Sequence, residues 1–164
     1  MSLNHQIIYR KHTKLINDEW RYVIYHPTLS IYGAGVLEED YVEIHDDILG
    51  KFYDIFCWIN MYNPSMKNYD KGFNTWGITV IKGDNLKKLN SILGALIKVF
   101  ENAPKNVTFL GYFCFDEPYP DDTPRGHYEK VKIKKEKLIE TFVKFQSITI
   151  KAIDTKGYIL HLGI

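Results

Sequence analysis

The chain has 164 residues, 45% of them hydrophobic and 25% charged, with a formal net charge of +1. That length holds one domain with a real core, and the apolar content offsets chain entropy, which excludes a largely disordered protein. Near-neutral charge excludes a global field drawing the protein to nucleic acid or an anionic membrane, and the two cysteines, Cys57 and Cys114, have no zinc-ligand spacing.

From the first residue, Met1-Ser2-Leu3-Asn4-His5 lacks the basic region and apolar stretch of a signal peptide. No apolar run approaches the roughly 20 residues that cross a bilayer. A cytoplasmic protein with reduced, buried thiols is expected. Residues 6–9 and 20–25 are rich in β-branched and aromatic side chains and predict strands, the second ended by Pro27. A shorter extended piece is expected at 29–32. Gly33-Ala34-Gly35 lacks the third glycine and the lysine of phosphate-binding loops and reads as a turn.

Asp46-Asp47 precedes Ile48, Phe52, Ile55, Phe56 and Ile59, an apolar stripe that predicts a helix over 47–61, stopped by Asn63-Pro64. His45 beside the two aspartates reads as part of that helix start rather than as a metal site. Thr75–Ile81 predicts a buried strand. Leu86, Leu89, Leu93, Leu96, Ile97 and Phe100 recur at spacings of three and four, the strongest helical signal in the chain, with Asp84 as the expected N-cap. Val107–Phe115 predicts another buried strand. Cys114, flanked by Phe113 and Phe115, is then a buried and inert thiol rather than a nucleophile.

Residues 116–127 form a polar loop with Pro118, Pro120 and Pro124. A strand with lysines on its wet face follows at 128–133, then a helix over 136–146. Residues 147–153 fit either periodicity, and the unbroken apolar stripe favours continuing the helix. Tyr158–Leu162 is the final strand, in which His161 reads as a hydrogen-bonded core histidine. The order of elements predicts a single α+β domain over 1–164: a mixed or antiparallel sheet with about three helices packed mainly on one face.

The proline-bearing loop carries the candidate site. Asp116, Glu117, Asp121 and Asp122 surround Tyr119, and no positive charge precedes Arg125. An aromatic anchor ringed by carboxylates on a stiffened segment suits a basic protein partner. A second acidic stretch runs through Glu38, Glu39, Asp40, Glu43, Asp46 and Asp47, and a basic one through Lys130, Lys132, Lys134, Lys135 and Lys137. Alternating lysines on a strand guard an edge, and no recognition motif points them at nucleic acid. No catalytic residue, metal or cofactor is expected. The alternatives are a small hydrolase-like enzyme, pairing His127 or His45 with Asp116, Glu117 or Cys114, and a homodimeric scaffold joined through exposed aromatics.

The stretches Trp76-Gly77-Ile78-Thr79-Val80-Ile81, Phe100-Glu101-Asn102-Ala103-Pro104 and Phe109-Leu110-Gly111-Tyr112 together resemble the strand–helix–strand unit of small bacterial immunity-type proteins, which neutralise toxins by direct binding. The resemblance covers residues 75–113. It implies a cytoplasmic binding protein without a cofactor and transfers no catalytic residue.

Overall fold

A computed structural model describes residues 4–11, 38–116 and 125–163. Apolar and β-branched runs form most of the strands: β1 (Asn4–Arg10), β2 (Tyr41–His45), β3 (Asn60–Asn63), β4 (Asn68–Lys71), β5 (Ile78–Lys82), β6 (Asn106–Phe115), β7 (Gly126–Lys134) and β8 (Tyr158–Leu162). Two long amphipathic helices, α3 (Asp84–Glu101) and α4 (Lys135–Asp154), lie between them. Two one-turn helices, α1 (Asp46–Leu49) and α2 (Tyr53–Phe56), are joined by a 3-10 turn at Gly50–Phe52. One sheet has the order β2-β1-β8-β5-β3-β4, and β6 and β7 form a separate two-stranded ribbon. Every pairing is antiparallel. This is an α+β fold.

The helices cover one face of the large sheet. Ile7, Tyr9, Val42, Ile44, Met61, Ile81 and Ile159 from the strands meet the leucines of α3 and Leu138, Phe142, Phe145 and Ile148 of α4 in one cluster. Ile8, Ile78, Val80, Tyr158 and Leu160 form a second buried cluster from the opposite side of the same strands. Burial on both faces is why the central strands are continuous apolar runs instead of alternating ones. Phe52 is wedged edge-on against Phe100 and Phe142, whose rings stack with centroids 5.7 Å apart. Phe109 of β6 joins this group and fastens the base of the ribbon to the core.

Several expectations are corrected. The helix expected over 47–61 is broken into α1, the 3-10 turn and α2, and Asn60–Asn63 is a strand. Asn63 does not stop a helix. Its Oδ1 accepts from the Ser65 and Met66 amides and shapes the turn into β4. Strand β5 begins at Ile78, because Asn74 gathers Thr75–Gly77 into a turn through Trp76 N–H to its side chain and Gly77 N–H to its carbonyl. Gly83, not Asp84, occupies the cap of α3. Asp84 is the first helical residue and pairs with Lys87. The segment 147–153 is helical, as the stripe indicated, and α4 runs on to Asp154. Strand β5 sits in the large sheet and β6 in the ribbon, so the strand–helix–strand stretch at 75–113 spans two sheets. The strands expected at 20–25 and 29–32, and the 33–35 turn, lie outside the described residues.

Candidate functional site

The ribbon brings Asp116 to its distal end, where the Asp116 amide donates to the Arg125 carbonyl at 2.9 Å and closes the last described rung. Glu117, Tyr119, Asp121 and Asp122 lie outside the described residues. Among the described residues the ion-pair partner of Asp116 is a histidine, not a lysine. Its carboxylate meets His127 Nδ1 at 2.8 Å, with both side chains more than half exposed.

The other face of the ribbon's end is apolar. Register steps from Leu110↔Lys130 to Phe113↔Tyr128, so two residues of β6 oppose Glu129 alone. This bulge changes which face the following side chains occupy. Without it, Phe113 and Phe115 would fall on the side that carries Val107 and Phe109 into the core. With it, they join Leu110 on the outer face. Glycine is required here: a Cβ at Gly111 would lie 2.9 Å from that of Glu129, and one at Gly126 would strike the Phe113 ring. Phe113 packs edge-on against Phe115 and Tyr128, with centroids 5.3 and 5.1 Å apart. Leu110, Phe113, Phe115 and Tyr128 remain 45–60% exposed. Lys130, Lys132 and Lys134, opposite Leu110, Thr108 and Asn106, continue the same face toward the body. The expectation that β6 is buried throughout is thus corrected: its base is in the core and its outer half presents rings to solvent. Both cysteines are free thiols, partly rather than fully buried. Desolvation first, and then the Glu129 carboxylate, push the Cys114 thiol up, which suppresses thiolate chemistry.

A second constellation is buried. His5 Nε2 lies 2.9 Å from Asp46 Oδ1, and His5 Nδ1 lies 2.9 Å from His161 Nε2. His161 Nδ1 faces Thr79 Oγ1 at 3.4 Å, and that oxygen accepts from the Asn74 amide at 2.8 Å. The imidazoles meet edge to edge, their planes 23° apart and their centroids 5.0 Å apart, and Phe73 covers His161. His161 is fully buried, as the sequence indicated. Burial, and then His5, hold its imidazole well below the usual histidine range. The acidic pair at 46–47 has a different role from that expected. His45 caps the short helix by accepting from the Asp47 amide, which frees Asp46 to reach His5.

Thr79 borders a cleft of about 280 Å³, also lined by Tyr53, Asn63, Met66, Asp70 and Trp76. The chain from Asp46 to Thr79 has the polarity of a general-base relay, but Thr79 is only 2% exposed. A substrate atom therefore cannot approach its hydroxyl within bonding distance. The exposed His127–Asp116 pair is the contact a hydrolase-like reading anticipated. It faces open solvent at the ribbon's end, with Cys114 opposite on the neighbouring strand. Among the described residues no three potential metal ligands converge, and no helix is long and apolar enough to cross a membrane. No family model, curated protein or solved structure matches this chain.

Sequence reasoning anticipated the buried, hydrogen-bonded His161, and it named Asp116 and His127, which the structure brings into contact. It missed the exposure of Phe113, Phe115 and Tyr128, because a bulge leaves only a glycine as its trace. It also missed the tie of His5 to Asp46, which spans 41 residues.

Proposed function

We propose that the protein is a non-catalytic binding module that docks a protein partner through the outer end of the β6–β7 ribbon. One observation carries this reading: Phe113, Phe115 and Tyr128 pack against one another on a strand surface yet stay about half exposed. Aromatic side chains offer large contact area at low entropic cost, and a preformed cluster has already met part of that cost. The finer form is a toxin-neutralising immunity protein with a basic partner. Its support is the sequence that continues from Asp116 into Glu117, Asp121 and Asp122. Carboxylates there accelerate association with a basic protein, whereas Lys130, Lys132 and Lys134 oppose it.

The experiment compares partner capture from the source cell by the wild type and by the Phe113→Ser/Phe115→Ser variant, followed by association kinetics with the purified partner. A protein held by the wild type and lost by the variant supports docking through the rings. Retention by both sinks it. Charge reversal at Asp121 and Asp122 should slow association about tenfold or more at low salt for a basic partner. A faster rate points to an acidic partner and removes the basic-toxin form. If the wild type is itself dimeric and the variant monomeric, the rings join two copies of this chain and the scaffold reading replaces the present one.

A further inference from the structure

We propose that the buried chain from Asp46 to Thr79 is a two-state relay, in which one proton taken up beside Asp46 reverses the hydrogen bonds among His5, His161 and Thr79 and turns the Thr79 hydroxyl toward the cleft.

The first state follows from what each group can donate. Ionised Asp46 only accepts, so His5 Nε2 carries a hydrogen. A neutral His5 then has a bare Nδ1, which accepts from His161 Nε2–H at 2.9 Å. That leaves His161 Nδ1 bare, and it accepts from the Thr79 hydroxyl. The Thr79 oxygen accepts from the Asn74 amide. Each polar hydrogen of the chain is used once, and all those on side chains point toward Asp46.

Adding a proton to His5 Nδ1 would set two N–H groups head to head across 2.9 Å. The clash disappears if His161 moves its own hydrogen from Nε2 to Nδ1. His5 Nδ1–H then donates to His161 Nε2, and His161 Nδ1–H donates to the Thr79 oxygen, whose lone pairs serve it and the Asn74 amide. The Thr79 hydroxyl hydrogen must leave that line, and the space that Thr79 borders is the cleft. One proton has entered, none has left, and the positive charge rests on His5 against the Asp46 carboxylate. His161 stays neutral, as its burial demands.

The described elements packed on the chain face it as follows. Asp46 faces His5 from α1, Thr79 faces His161 from β5, and Phe73 lies on His161. Helix α4 buries Phe145, Ile148 and Thr149 toward this layer, and β2 buries Val42 and Ile44, none of them titratable. Asp47 is turned to His45. Among the described residues the titratable groups hydrogen-bonded into the chain are Asp46 and the two rings, while Tyr53, Asp70 and Lys71 line the cleft at its Thr79 end.

Long-range proton–nitrogen correlation spectra of the imidazoles, recorded from about pH 8 to about pH 5, read both states directly. The expected result is a neutral His161 throughout, with hydrogen on Nε2 at the alkaline end and on Nδ1 at the acid end, while His5 becomes doubly protonated and the amide spectrum stays folded. A His161 that keeps one tautomer while His5 protonates overturns the relay. So does protonation of His161 in the folded protein, or unfolding before His5 gains its proton. Asp46→Asn keeps an oxygen acceptor and removes the charge, so the switch should move about one pH unit or more toward acid. An unmoved midpoint also overturns it.

Discussion

Two histidine–aspartate pairs in this molecule have nearly the same geometry and different physics. His5–Asp46 spans 2.9 Å and His127–Asp116 spans 2.8 Å. The side chains of the first pair are 2% and 17% exposed, those of the second 65% and 54%. Water solvates either member of the exposed pair once the other is removed, so the contact adds little. In the buried pair His5 has almost no access to water, so without Asp46 its N–H bears the desolvation cost. Distance alone does not rank the two. Burial does.

The sharpest way to break this comparison is to remove one carboxylate from each pair. Asp46→Ala leaves a buried His5 N–H without its acceptor and should cost about 2–4 kcal/mol in urea unfolding. A loss under about 1 kcal/mol would show that the pair is no more important than its exposed counterpart. The next effect comes from pH. His161 is held below its ordinary value in the folded chain, and unfolding returns it to about 6.5. Below about pH 6.5 the unfolded state takes up a proton that native His161 refuses, so stability is complete above that pH and falls as acid is added. The slope from this group reaches about 1.4 kcal/mol per pH unit down to its folded value. Urea midpoints from about pH 8 to about pH 5 test this against His161→Gln, which should be less stable at neutral pH but flatter. Equal slopes would remove His161 as the source.

Smaller still, Asp116→Ala should change stability by no more than about 0.5 kcal/mol. A larger loss would mean that the distal rung depends on His127. Smallest for stability is Phe115→Ser, expected within about 0.5 kcal/mol because the ring is mostly in water. Its effect belongs to partner capture, and a drop of more than about 2 kcal/mol would place that ring in the folding core.

Legibility in the sequence followed the range of the interactions. Helix α3 was readable because its leucines repeat within one element, and α4 because its stripe continued past Gln146. The turn chemistry of Asn63 was misread as a helix stop, and that of Asn74 went unseen, so Thr75–Gly77 was taken into the strand that follows, since an asparagine that caps a turn looks the same in sequence wherever it sits. Strand β4 was missed because all four of its residues are exposed and it gives no apolar signal.

The sequence by itself determined the α+β class, the two long helices, the final strand and the burial of His161. These follow from local periodicity and from the cost of leaving large apolar side chains in water. Only the tertiary structure decided that Phe113 and Phe115 face outward, that Asp46 serves His5 and not its own helix, and that one histidine–aspartate pair is largely buried while its counterpart is wet. A bulge reassigns faces without altering composition, and solvent exposure belongs to the assembled chain. Neither is a property of any segment read alone.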